Sequence, residues 1–129
     1  MIPGVGSYLP KNKFSNESLS KFVDTSDEWI SKRSGIKNRH FVADNEKTSD
    51  MAFFAAHKAL ENAQISKNDI DLIVLATTTP DNTFPSTATL VQKKLEINAV
   101  SFDIQAVCAG FVFALSVAKS MMIEGMYKN

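Results

Sequence analysis

Between Ala109 and Ala118 the chain runs AGFVFALSVA, with Ser116 its one polar residue and no charge until Lys119. A helix built from that run is apolar on every side, so it belongs in the middle of something, with protein packed around it. The run is too short and too interrupted to span a bilayer, and no basic-then-apolar leader opens the sequence. Gly110 and four alanines among residues 106 to 118 leave room for neighbouring backbones to approach closely. These features predict an α/β architecture in which this central helix is covered from both sides.

The preceding sequence supplies the covering elements. Val100, Phe102 and Ile104 alternate with Ser101, Asp103 and Gln105, the period of a strand. LIVLA, Leu72 to Ala76, is a continuous apolar run of the kind expected for a parallel strand covered on both faces. Between them TFPSTATLVQKKLEI opens with a Pro-Ser start signal and places Ala88, Val91 and Leu95 on one side of a helix. From Ser49, residues Ala52, Ala55, Ala56, Ala59, Leu60 and Ala63 fall at helical spacing, and Asp50 sits in the first turn where the helix dipole favours an anion. Strand and helix signals therefore alternate as in βαβ units. The N-terminal third is less regular. GVGSYLP predicts a short strand running into a turn, and SNESLSKFV a short amphipathic helix. In TSDEWISKRSGI, Thr25 or Ser26 is placed to cap a helix that starts with Asp27 and Glu28 and stops before Gly35.

Composition narrows the function classes. At 129 residues and 44% hydrophobic content the sequence fits one domain or part of one. Fourteen basic residues balance fourteen acidic ones, so global charge predicts neither nucleic acid nor an anionic membrane as partner. One cysteine excludes an internal disulfide and points to a reducing cytoplasm. The sequon at Asn16 has no secretory context, and no glycine-rich phosphate loop is present.

Cys108 falls where the strand around Phe102 passes into the apolar helix. Unpaired N–H groups and the positive end of the dipole there favour thiolate, which predicts a lowered pKa and a nucleophile. A packed structural cysteine is the competing reading, and position alone leaves both open. Trp29 and Arg33, four apart, share one helix face, and a flat indole and guanidinium are suited to sandwich an aromatic ligand such as adenine. Lys32, Arg33, Lys37 and Arg39 have no acid between them and form a candidate landing patch for phosphates. The bland alternative is that Trp29 anchors the helix while the cations are solvated. His40 and His57 have no metal-ligand partner at useful spacing, so both are expected to be structural, and Met121, Met122 and Met126 to be filler.

Taken together, GVGSYLP, DTSDEWISKRSGIKNRH, LIVLATTTPDNTFPST and FDIQAVCAGFVFALSVA closely resemble the N-terminal part of the β-ketoacyl-acyl-carrier-protein synthase III family, thiolase-fold condensing enzymes. The likeness runs through nearly the whole chain. It implies a thiolase-like α/β fold in which residues 1–129 form an incomplete N-terminal half, with a mostly parallel sheet and a buried central helix. It also implies an acyltransferase of fatty acid biosynthesis. Cys108 matches the acyl-accepting nucleophile, which takes an acetyl or similar short acyl group from coenzyme A as a thioester. Trp29 and Arg33 match the pair that stacks on adenine, with Thr25 near the same end of the ligand. Phe84 matches a loop residue that reaches across a homodimer interface to close the partner's acyl pocket. No cofactor is held permanently; acyl-CoA is a substrate, and malonyl-acyl carrier protein is the second.

The resemblance also implies that decarboxylation needs a neutral His and an Asn to hold the developing enolate. The family carries both in its C-terminal half, beyond the residues present here. Without that half the apolar helix is expected to face water and the isolated chain to be unstable or to aggregate. Pro3 is expected to weaken pairing of the first strand, since proline has no N–H to donate. Two further functions stand beside catalysis: a non-catalytic remnant of a truncated gene with at most weak coenzyme A or acyl-carrier binding, and a cysteine hydrolase using the same thiol.

Overall fold

The computed structural model describes residues 1–129. They form two compact units, one of Met1–Tyr8 with Lys47–Asn129 and one of Leu9–Glu46.

The larger unit is built on a parallel pair of strands, β3 (Leu72–Ala76) and β4 (Val100–Ile104), in the register Leu72 opposite Val100. Both strands have the limits expected from their apolar patterns. Helix α4 (Thr87–Leu95) connects them and packs on both, burying Ala88, Val91 and Leu95, the three residues that the helical period places on one side. Its start is fixed twice. Ser86 is the N-cap and accepts the Thr89 N–H, and Asp103, on β4, accepts the N–H of Thr87 and of Ala88 at 2.7 Å each. A carboxylate there meets both the unpaired amides and the dipole. Helix α3 (Thr48–Ala63) packs against α4, and Asp81 ties its first turn by accepting from the Ser49 N–H and Oγ–H at 2.8 and 2.6 Å.

One expectation needs correction, and a second takes two forms. GVGSYLP makes no β-ladder; residues 1–10 contain no regular element. The segment is nonetheless extended along α3. A Cβ on Gly4 would lie 2.5 Å from the Ala59 carbonyl oxygen, and one on Gly6 would clash with that of Ala55. Two residues of extended chain advance about 6.6 Å and four of helix about 6 Å, so the segment runs antiparallel to the helix with its glycines inward. Strand conformation is present and a strand partner is not; Pro3 lies in this unpaired stretch, so its missing N–H breaks no ladder.

The second concerns the apolar helix, expected to be buried in a complete fold and to face water without the covering half; it faces water. Residues 107 to 109 form a single 3₁₀ turn leading into α5 (Gly110–Ile123), which packs on β3 and β4. Only Gly110 and Ala114 are buried, while Phe111 is 73% exposed and Val112, Phe113 and Leu115 also face outward. The helix forms as the sequence predicts, but the layer that would bury its other faces is not supplied by these residues.

The smaller unit holds β1 (Asn12–Ser15), which the sequence patterns did not flag, paired antiparallel with β2 (Asn38–Phe41). Phe14 and Phe41 meet edge to face across that pair. The expected SNESLSKFV helix is a single turn, α1 (Asn16–Leu19). Helix α2 (Asp27–Ser34) is capped by Ser26 rather than Thr25 and is ended by Gly35 in the left-handed conformation. Asn16, almost fully buried, joins these pieces: its amide nitrogen donates to Asp27 and to the Ile36 carbonyl, and its oxygen accepts from Arg39.

Candidate active site

Cys108 lies in the 3₁₀ turn between the end of β4 and the start of α5, and its thiol is exposed. That exposure favours the nucleophile over the packed cysteine. Val107, just before it, has φ +46°, a left-handed conformation that a β-branched residue adopts only under constraint. The strand therefore turns abruptly into the helix and presents the cysteine at the corner, a geometry that suits nucleophiles. The amides of Val107 and Cys108 open the turn, so their N–H groups have no acceptor within the helix. Such donors are what an oxyanion on a thiol-bound carbonyl requires. Nothing in the sequence pattern announces the strained valine, because φ is set by the packing of the flanking elements.

An open groove of about 860 Å³ runs beside this corner. Its lining includes Val107, Gly110, Phe111 and Ala114 from the turn and α5, the whole of β3, and Ala52, Ala55 and Ala56 from α3; no charged side chain takes part.

Phe84 sits in the loop between β3 and α4 and is 88% exposed. That loop is pinned at three points. Thr48 donates to the Thr79 carbonyl at 2.7 Å, Asp81 holds the α3 start as described, and the Asp81 N–H reaches Thr87 Oγ1. A fixed loop thus projects a bare aromatic ring. Asp81 and Asp103, which hold this framework, were not singled out from sequence. At Asp103 the available signal is an acid on a half-buried strand; Asp81, in a loop, has none.

On the smaller unit, Trp29 and Arg33 share a face of α2 as the four-residue spacing predicts. The guanidinium carbon stands 4.3 Å from the centre of the indole, so the two lie on one another and leave no space for a base between them. The expected sandwich is closed here, and a flat ligand enters only by stacking outside the pair or by displacing Arg33. Thr25, half-buried, precedes the Ser26 cap of the same helix. Of the four cations of the candidate phosphate patch, two have side-chain partners: Lys37 lies 3.0 Å from Ser31 and 3.9 Å from Asp27, and Arg39 donates to Asn16 at 2.9 Å. Lys32 and the ring-stacked Arg33 remain exposed. The Asn16 and Ser31 hydrogen bonds, with the Lys37 charge adding to them, hold the Asp27 carboxyl below its ordinary range.

His40 lies inside β2, with Nδ1 against the Pro10 carbonyl, and His57 on α3 pairs with Glu61 at 3.4 Å. Both have structural partners. No helix is long and apolar enough to cross a membrane.

Comparison with known proteins shows what the chain is similar to. Residues 102–129, which carry Cys108, match the 3-oxoacyl-[acyl-carrier-protein (ACP)] synthase III model. The β-ketoacyl-[acyl-carrier-protein] synthase III of Ehrlichia canis is 60% identical over 130 residues, covering 100% of this chain and 41% of the relative. That of Neisseria gonorrhoeae is 58% identical and covers 99% and 41%. Among solved structures, 3-oxoacyl-[acyl-carrier-protein] synthase III from Aquifex aeolicus superposes with a TM-score of 0.86 at 50% identity, covering 96% of this chain and 40% of that one. The Thermus thermophilus enzyme gives 0.87 at 38% identity, covering 98% and 39%. The chain is thus a homologue, in sequence and in thiolase-like α/β fold, of the β-ketoacyl-[acyl-carrier-protein] synthases III, and it spans about two-fifths of the length of the relatives it matches.

Proposed function

We propose that residues 1–129 are a partial thiolase-like domain carrying the nucleophile of a cytoplasmic condensing enzyme that starts fatty acid synthesis. Cys108 Sγ attacks the carbonyl of acetyl-CoA or a similar short acyl-CoA. The bond from that carbonyl carbon to the coenzyme A sulfur breaks, and coenzyme A leaves as the thiol with the cysteine's proton. The acyl group on Cys108 is then joined to the carbon released by decarboxylation of malonyl-acyl carrier protein, in a step that uses groups outside this chain. Trp29, Arg33 and Thr25 hold the nucleotide end of coenzyme A, and Phe84 closes the acyl pocket of a homodimeric partner. No permanent cofactor takes part.

The observation that carries this reading is the exposed thiol at a strained strand-to-helix corner, in the segment that matches the synthase family model. Intact-mass measurement after incubation with acetyl-CoA tests it. An acetyl adduct on the chain that disappears in Cys108→Ala supports the assignment, and an adduct that persists in the variant removes it. A second reading, a non-catalytic piece that binds coenzyme A or acyl carrier weakly, is favoured by the uncovered faces of α5. Absence of any adduct supports that one.

A further inference from the structure

Asn16 is 1% exposed and bonded through every polar atom of its side chain. The amide nitrogen donates to Asp27 Oδ1 at 2.8 Å and to the Ile36 carbonyl at 2.7 Å, and the amide oxygen accepts from Arg39 at 2.9 Å. Its main-chain N–H donates to the Lys37 carbonyl at 3.3 Å. These partners lie at the two ends of one element. Asp27 is the first residue of α2, while Ile36 and Lys37 follow the Gly35 that ends it. The asparagine is itself fixed from outside that helix: Ser15 before it pairs with Asn38 at the end of the β1–β2 ladder, and Arg39 belongs to β2. One side chain thus ties the start and the exit of α2 to the hairpin.

Packing alone does not set which way α2 faces. The helix has eight residues and buries one of them, Ile30. A single apolar anchor holds a helix against its unit and leaves it free to roll about its axis. Trp29, the largest apolar side chain of α2, is nevertheless 54% exposed. Free to roll, the helix would turn that ring inward, because burying an indole removes a large apolar area from water. Bonds at both ends oppose the roll. At about 100° per residue, Asp27 and Ile30 fall about 60° apart on the helix, whereas Trp29 and Arg33 lie about 160° and 120° from Asp27. Holding Asp27 toward the hairpin therefore holds the stacked Trp29 and Arg33 outward. The position calls for an amide, which donates twice and accepts in the space of one short side chain. An aspartate there would set a carboxylate against Asp27 and the Ile36 carbonyl, and a leucine would offer nothing to any of the three partners. The same bond is the main reason that the Asp27 carboxyl lies below its ordinary range.

We propose that Asn16 is a positioning residue: through Asp27 and the exit of α2 it holds the helix in the roll that keeps Trp29 and Arg33 facing solvent, open to a nucleotide ligand. Its role in binding rests on the reading of that face as the coenzyme A site.

The test uses the full 129-residue chain at low concentration, with Trp29, its one tryptophan, as the probe. In the unliganded chain, Asn16→Leu is expected to shift Trp29 emission to the blue and to reduce its quenching by acrylamide, as the ring rolls inward. Loss of structure would do the opposite on both counts, so destabilisation and reorientation have different signatures. Titration with coenzyme A, followed by quenching of Trp29, then gives Kd. Asn16→Leu is expected to raise it about fivefold or more, the scale on which a buried hydrogen-bonding group acts when its partner is lost. Asp27→Ala, a change at an exposed residue, removes one arm of the clamp and is expected to move emission and Kd the same way by less. Far-UV circular dichroism identifies variants that have folded, and Asp27→Ala decides if Asn16→Leu has not. Unchanged emission and unchanged Kd in a folded variant overturn the proposal, because Asn16 then serves stability only. A parent chain whose Trp29 ignores coenzyme A removes the nucleotide reading, and the binding role of Asn16 falls with it; the emission shift without ligand still decides whether Asn16 orients the helix.

Discussion

Helices α4 and α5 follow successive strands of the same parallel pair, yet they meet opposite fates. Helix α4 is amphipathic, and the residues on its apolar side are covered: Val91 is 2% exposed and Leu95 5%. Its first turn is bound by a carboxylate from the neighbouring strand. Helix α5 is apolar all round, packs on the strands through a narrow line that includes Gly110 and Ala114, and leaves phenylalanines in water. The difference teaches that an amphipathic helix can be satisfied by one layer, whereas a helix without a polar face needs layers on both sides. The first condition is met by residues 72–104; the second needs protein that these residues do not supply.

The comparison can be broken most forcefully at Leu95. Leu95→Ala empties a packed position of α4 and is expected to cost about 2–5 kcal/mol, seen as a lower midpoint in chemical denaturation at low protein concentration. A loss under about 0.5 kcal/mol, the size of an ordinary surface change, would show that α4 is no better packed than α5. Asp103→Ala comes next. It strands the amides of Thr87 and Ala88, both fully buried residues, and should cost about 1–3 kcal/mol. Serine substitution at Ala88 serves as a contrast, since it leaves the carboxylate in place.

A smaller effect follows from pH. Asp50 on α3 binds Lys94 on α4 at 2.7 Å; that hydrogen bond, then one from the Lys47 amide, lowers the Asp50 carboxyl below its ordinary value. A group with a lowered folded-state pKa stabilises the fold above the unfolded pKa, near about 4, and loses that contribution as pH falls through the folded value. The denaturation midpoint should therefore drop on acidification below the ordinary carboxylate range, and Lys94→Met should flatten part of that drop. An unchanged slope in the variant would remove the α3–α4 tie from the comparison. The smallest change in stability is expected at Phe111→Glu on α5, within about 0.5 kcal/mol because the ring is already solvated. The same substitution should reduce self-association of the chain in light scattering. A monomeric wild-type chain with a cooperative thermal transition would show that the exposed apolar faces of α5 cost less than their area indicates.

Much of the fold was legible because local pattern and local structure coincide in the larger unit. LIVLA is β3, the alternation at Val100–Ile104 is β4, and Pro85-Ser86 marks the start of α4. The four-residue spacing put Trp29 and Arg33 on one face. The N-terminal strand was misjudged for a physical reason: its sequence sets an extended conformation, but a ladder also requires a partner, and none is present. Strand β1 is not legible because NKFS has no alternation strong enough to distinguish it from a loop. Counting cations does not show which of them already have partners, as Lys37 and Arg39 do.

By itself the sequence determined the periodic elements, the cap residues and the position of the single thiol at a strand-to-helix junction, since these depend on neighbours within a few residues. Tertiary structure alone decided that Cys108 is exposed behind a strained Val107, that Arg33 lies on Trp29, that Asp81 and Asp103 anchor helices, and that β3 keeps an open side. Burial, strain and pairing are set by groups distant in the chain, and their identities are encoded only through the packing that brings them together.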